Sequence, residues 1–306
     1  MKSTVSLDIR IANYIARKLN GYVAGKNKKQ SLRSETAWKE KFKGGDHIIF
    51  DLGEGIRMKL YSDSFLSKFI YDGFEKDEIH FLSHYLEPGD TFIDIGANVG
   101  LFSLYASKIV GPRGSVVAFE PSGVTNQRLL ENVGLNGLEN VTVHKMGLSD
   151  KSAILELNIS VNGYEAWNTF VQSEDNKFSK KEQVPVKAFD AFCVEHSLDT
   201  DKISLIKLDV EGFEMNVLNG ATGLLSKSNA PVFMVEFTDP NAIASGHCCH
   251  EIYKFLNGYD YRWYTYAAEL KELTFDALRE SYPYNNLIAV KDTNRNRVAA
   301  RFSIKN

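Results

Sequence analysis

Thr91 to Val110 reads TFIDIGANVGLFSLYASKIV. An apolar run suited to a buried strand ends in the acid Asp94, turns through Gly96-Ala97-Asn98-Val99-Gly100, and passes into a helix-like segment. A strand that stops at an acid and turns through glycines is predicted to let a ligand lie against the backbone there. The helix that follows begins with backbone N–H groups lacking intrahelical acceptors. Glu120 ends the next strand, SVVAFE (Ser115–Glu120), about two dozen residues beyond Gly96. A carboxylate at that spacing suits the two hydroxyls of a ribose. A nucleoside-bearing cofactor is therefore expected here.

Downstream the same rhythm recurs. Helix is expected over Val99–Val110 and Thr125–Asn136, and strand over Val141–Met146, SLIKLDVEG (Ser204–Gly212) and PVFMVEF (Pro231–Phe237). FEMNVLNGATGLL reads as helix, and YRWYTY and NNLIAVK as closing strands. AILELNI (Ala153–Ile159) and VPVKAF (Val184–Phe189) look like additional strands. Strand and helix alternating at this spacing predict βαβ units and a parallel sheet, an α/β fold. Ahead of the sheet, HIIFDLGEGIRMKLYS (His47–Ser62) reads as a β-hairpin, and EKDEIHFLSHYLEPGD as a helix stopped by Pro88-Gly89. We divide the chain into a helical and hairpin extension, 1–68, and a main domain, 69–306, with the extension available for substrate or dimer contacts.

The turn at Asp94–Gly100 lacks the third glycine of the dinucleotide fingerprint G-x-G-x-x-G. It also places an anion two residues before its first glycine. A carboxylate beside a pyrophosphate is unfavourable, whereas beside an ammonium or sulfonium it is favourable. S-adenosylmethionine therefore fits better than a nicotinamide dinucleotide. A nicotinamide-dependent oxidoreductase and a catalytically degenerate cofactor-fold module remain as alternatives.

The segments FIDIGANVG, VVAFEP, LLENVGLNGLENVTVHKMGLSD, ISLIKLDVEGFEMNVLNGA, PVFMVEF and YNNLIAV resemble the FkbM family of S-adenosylmethionine-dependent methyltransferases, over about Phe69 to Val290. The resemblance implies a Rossmann-like class I methyltransferase fold, with a seven-stranded mostly parallel sheet, its last strand antiparallel, and helices on both faces. It implies O-methylation of a sugar, glycan or natural-product hydroxyl. It assigns Asp94, Gly96, Ala97, Asn98 and Gly100 to the methionine end of the cofactor, and Glu120 with Pro121 to the ribose. Gly147, Leu148 and Ser149, after Met146, fall beside the adenine. Glu75 falls on the cofactor's flank, where Phe74-Glu75 stands in place of the family's frequent Tyr-Glu. Asp209 borders the reacting methyl group. AFDAF around Asp190 replaces the family's usual Thr-Leu-Asp, a departure expected to concern packing only. The first 65 residues and Ser160–Phe170 (SVNGYEAWNTF) are least constrained by the resemblance, and substrate identity is expected to reside there.

An alcohol needs a base or a metal to take its proton as the new bond forms. Asp209, with Glu211 or Glu236, is the expected group for orienting or deprotonating the acceptor, and His250 is a further candidate base. Glu211 and Glu214 also suit capping of the following helix. Clustered carboxylates could hold Mg²⁺, a reading not favoured here. GHCCH (Gly246–His250) is not a zinc site, because no second ligand pair exists. His144 reads as structural, and the aromatic run at Tyr259–Tyr266 as an ordinary strand.

The 306 residues are 43% hydrophobic and 25% charged, with a net charge of −3. This excludes a global basic field for nucleic acid. The segment Ala16–Arg33, rich in Lys and Arg and without an acid, reads as a solvated arm, with a homodimer contact as its other use. Cys193, Cys248 and Cys249 make no disulfide framework, and no run has the length of a signal sequence or membrane span. A cytoplasmic protein with a small-molecule or glycan acceptor is expected.

Overall fold

The computed structural model describes residues 35–160, 168–171 and 180–305. The basic segment before residue 35 and most of the 160–170 loop lie outside them.

A short helix, Glu35–Glu40, precedes the hairpin of β1 (His47–Gly53) and β2 (Ile56–Tyr61), which pair antiparallel around Glu54-Gly55 as the alternation predicts. The main strands are β3 (Thr91–Ile95), β4 (Ser115–Phe119), β5 (Val141–His144), β9 (Ile203–Leu208), β10 (Val232–Phe237), β11 (Tyr261–Ala267) and β13 (Asn285–Lys291). They form the sheet β5-β4-β3-β9-β10-β13-β11, in which β13 alone runs antiparallel to its neighbours. This is the expected seven-stranded, mostly parallel core. Two short strands, β12 (Glu272–Phe275) and β14 (Ser303–Lys305), extend its edge to nine. Between β5 and β9 the chain builds a separate three-stranded sheet, β6 (Gly147–Ser149), β8 (Lys180–Ala188) and β7 (Ala153–Ile159), in that order.

Helices cover both faces, each over its own apolar core. On one face Phe81, Leu82 and Tyr85 of the Lys76–Tyr85 helix, the Leu101–Val110 helix, and Leu129 and Val133 of the Gly123–Leu135 helix pack against Phe92, Val116, Leu205, Met234 and Ile288. Ile56, Met58 and Leu60 of the hairpin join this core, so the extension and the main domain share one interior. On the other face Phe189, Phe192, Leu218, Leu225 and Ile252 pack against Ile93, Phe119, Ile206, Val235 and Trp263.

The segment predicted as one helix after Phe213 is two, Glu214–Asn219 and Thr222–Leu225. A Cβ on the intervening Gly220 would lie 1.9 Å from the Ser149 carbonyl oxygen, so β6 crosses there against bare backbone. Asp190 accepts the N–H groups of Gly223 and Leu224 at 2.7 and 3.0 Å, capping the second helix. The AFDAF departure therefore retains a helix-capping aspartate.

Candidate active site

Side chains alternate across a strand. Counting in twos from Phe92, Ala118, Leu205, Met234 and Ile288, all in the first core, places Asp94, Glu120, Lys207 with Asp209, Glu236 and Asn286 on one face of the sheet. They sit at or beside the carboxyl ends of the parallel strands, where open α/β sheets bind ligands. Continuing ladder bonds carry two of them beyond the strands proper: Glu120 N–H donates to the His144 carbonyl at 3.1 Å, and Asp209 N–H to the Ile95 carbonyl at 3.1 Å.

The turn after β3 corrects one expectation. The N–H groups of the turn itself are used within the chain: Gly96 and Ala97 both donate to the Phe119 carbonyl at 3.0 Å, and Asn98 to Glu120 Oε2 at 3.0 Å, whereas the helix that starts at Leu101 carries no side-chain cap. The glycines serve the approach of chain to chain. Gly96 has φ +82°, and a Cβ there would lie 1.9 Å from the Asp209 carbonyl oxygen. Its absence lets the end of β9 close on the turn and brings Asp209 to it. Gly100, φ +93°, lies 2.3 Å by the same measure from a Leu129 methyl and begins the next helix.

The acids around this turn are deeply buried. Asp94 is 1% exposed; Ser103 Oγ donates to its Oδ2 at 2.6 Å, while Oδ1 has no hydrogen-bond partner among the described residues. Burial pushes its carboxyl up from the ordinary aspartate range, Asp209 adds to the rise, and Lys207 and Ser103 oppose it. Glu120 accepts from Asn98 and Ser122 N–H, at 3.0 and 2.9 Å, yet burial still raises it to about 7. Pro121 is half-buried beside it. Glu75, in a left-handed conformation with φ +51°, opens the Lys76–Tyr85 helix and faces the cavity, with Tyr284 Oη 3.4 Å from its Oε1.

One cavity gathers Glu75, Gly96, Ala97, Asn98, Asp209 and Glu211. Phe74, Phe102 and, from the helix after the hairpin, Leu66 and Phe69 form its apolar wall. Asp209, Glu211 and Glu236 each place an oxygen within 4.8 Å of the other two. Glu211 holds φ +52°, followed by Gly212 at +99°, a sparsely populated conformation of the kind found at functional sites. Asn241 Nδ2 donates to Glu211 Oε2 at 2.5 Å, and Thr169 Oγ1 to the Glu211 carbonyl at 2.8 Å. Glu214, the first residue of its helix, does not cap it but holds the preceding turn, accepting from Val210 and Gly212 N–H at 3.1 and 3.2 Å; burial raises it to about 7.

Lys207 was missing from the sequence expectations. It lines the same cavity, 4% exposed, with Nζ 2.8 Å from Asp209 Oδ2 and 4.7 Å from the centre of the Phe102 ring. The available signal was a lone lysine inside the apolar strand ISLIKL.

Several expected site residues are not among those lining this cavity: Asp94, Gly100, Glu120, Pro121 and Glu236 lie outside its lining, as do His250 and the Gly147–Ser149 group. His250 does not line the cavity: its Nε2–H donates to the Arg279 carbonyl at 2.6 Å, because its helix turns that side toward the 279–282 segment. Gly147, Leu148 and Ser149 are buried as β6 against Val186–Ala188, with the Phe170 ring over Gly147. They do not line this cavity.

The residues fit an S-adenosylmethionine ligand: among the described residues Asp94 Oδ1 and Asn98 Oδ1 are buried without a hydrogen-bond partner, and Glu120 adds a carboxylate. The Asp209, Glu211 and Glu236 oxygens also suit a hard divalent ion.

The Methyltransferase FkbM domain profile matches residues 94–263, more than half of the chain. The chain belongs to the FkbM methyltransferase family. This FkbM chain is 31% identical over 149 residues to Methyltransferase 1 of Beauveria bassiana, covering 44% of its own length and 59% of that protein. It is 31% identical over 198 residues to Methyltransferase sdnD of Sordaria araneosa, covering 56% and 75% respectively. With the hexuronic acid methyltransferase AglP of Haloferax volcanii it shares 29% identity over 158 residues, 51% of this FkbM chain and 59% of that protein.

Proposed function

We propose that the protein is an S-adenosylmethionine-dependent O-methyltransferase whose acceptor is a hydroxyl of a sugar, glycan or natural product. The observation that carries this reading is the shared face on which Asp94 and Glu120 flank the Gly96 turn while Asp209, Glu211 and Glu236 converge beside it. When bound, S-adenosylmethionine supplies an electrophilic methyl group on a sulfonium.

In this reading Asp94, Glu75 and the Asn98 amide face the cationic amino-acid end. Glu120 accepts from the ribose hydroxyls. Leu66, Phe69 and Phe102 exclude water from the cavity. Asp209, with Glu211 or Glu236, orients the acceptor hydroxyl in line with the methyl group and takes its proton as the C–O bond forms. Alignment supplies much of the rate, because the methyl group is already activated. The naming of AglP as a hexuronic acid methyltransferase supports a sugar acceptor.

The test is incubation of the purified chain with S-adenosylmethionine and a panel of uronic acids, hexoses and hydroxylated natural products, with mass spectrometry of the products. A methyl ether on one class, lost in Asp209→Asn while cofactor binding persists, is the expected result. Near-normal turnover in Asp209→Asn would remove that residue's role. The carboxylate group favours a second reading, acceptor activation by a divalent ion. Turnover is expected to survive EDTA; loss in EDTA with recovery on Mg²⁺ would establish the metal reading instead.

A further inference from the structure

We propose that Lys207 is a resident cation that sets the site's preference between the sulfonium cofactor and the uncharged thioether left after transfer. This rests on the cofactor reading above.

Asp94 and Lys207 are register partners on adjacent strands, so their side chains emerge side by side on the face that carries the site. Lys207 is the only cation among the described residues lining the cavity, and it shares those walls with Glu75, Asp209 and the Gly96–Asn98 turn. Its ammonium is held by Asp209 at 2.8 Å and lies over Phe102 at 4.7 Å. Burial opposes its charge, but Asp209, Glu75 and Asp94 outweigh that and raise its affinity for the proton. The lysine therefore stays charged at neutral pH.

A positive ligand entering the cavity is attracted by Asp94, Glu75 and Asp209 and repelled by Lys207. S-adenosylmethionine and S-adenosylhomocysteine share their amino-acid and nucleoside parts. They differ by one methyl group and one positive charge, so a fixed cation discriminates between them almost entirely through that charge. Without Lys207 the buried acids would grip the sulfonium more tightly than its product. With Lys207 the grip on the charged reactant is loosened. Because the sulfonium loses its charge as the methyl group leaves, loosening the reactant state more than the transition state favours transfer.

The experiment is calorimetric titration of the full chain and of Lys207→Met, Lys207→Gln and Lys207→Arg with each of the two compounds. The quantity read is the ratio of their dissociation constants. In Lys207→Met and Lys207→Gln that ratio is expected to move toward S-adenosylmethionine by about tenfold or more, the size of a unit-charge interaction across roughly 12 Å of protein or less. Lys207→Arg is expected to hold it within about twofold, since the charge is kept. Gln retains polarity and provides the reading where Met prevents folding. Equal weakening of both ligands, or an unchanged ratio, would overturn the role of Lys207 and leave the cofactor reading standing. A wild-type chain that binds neither compound would overturn both.

Discussion

At Gly96 the sequence and the structure meet on a single missing atom. With φ at +82° and 1.9 Å separating a virtual Cβ from the Asp209 carbonyl, Gly96→Ala must push β3 and β9 apart at their ends. The expected cost is roughly 3 kcal/mol or more, read as a fall in melting temperature. Gly100→Ala is expected to cost less, because its nearest neighbour is the movable end of Leu129. Glu120 is expected to show itself through pH. Its folded value, about 7, lies above the ordinary glutamate value of 4.5 because of burial. Its contribution to stability is therefore complete below about 4.5 and is lost as pH rises through 7, a change on the order of 3 kcal/mol. The change is read by comparing wild type and Glu120→Gln in thermal melts at pH 5 and pH 8, and Glu120→Gln is expected to be flatter. Ribose binding calls on the carboxylate form, so nucleoside affinity is expected to rise across the window in which stability falls. The acids at the strand ends were legible in the sequence because apolar runs that stop at Asp94, Glu120, Asp209 and Glu236 announce themselves. Lys207 was less so: alternation puts it on the face of Asp209 two residues on, but only the register with Asp94 on the next strand shows which acids surround it.

The elements were legible where one periodicity dominates. The hairpin alternation survives in β2, where Ile56, Met58 and Leu60 are fully buried, and the βαβ rhythm survives in the order of the main strands. What joins the elements was hidden. Asn132, fully buried within the Gly123–Leu135 helix, accepts from Lys59 N–H at 2.8 Å and donates to the Val99 carbonyl at 2.9 Å. One side chain thus ties the hairpin to the glycine turn, yet an asparagine within a helix looks unremarkable in sequence. Asn132→Ala would strand two backbone groups in the interior. Its expected cost is about 2–4 kcal/mol in thermal or urea unfolding, with weakened cofactor binding because the turn at Val99 loosens. The helix break at Gly220 and the displacement of His250 toward Arg279 have the same origin. Each depends on a contact between segments distant in sequence, which local pattern does not encode.

For the molecule as a whole, the two apolar cores divide labour. The core over Trp263 and Phe237 carries the opposite face of the sheet. The core shared by hairpin, Lys76–Tyr85 helix and Leu101–Val110 helix ends at its top in the acids and Lys207. Leu66, in the extension before residue 69, reaches the cavity wall beside Phe69, so the extension contributes to that wall as well as to the interior. Among the described residues no helix is long and apolar enough to cross a membrane. The central claim is that this face binds a nucleoside cofactor bearing a methionine-like end. The measurement that tests it most directly is calorimetric titration of the chain with S-adenosylhomocysteine and, in parallel, with NAD, using Glu120→Ala as control. Micromolar binding of S-adenosylhomocysteine, weakened at least tenfold by the substitution and unmatched by NAD, is the expected result. Binding of NAD alone, or of neither compound, would contradict it.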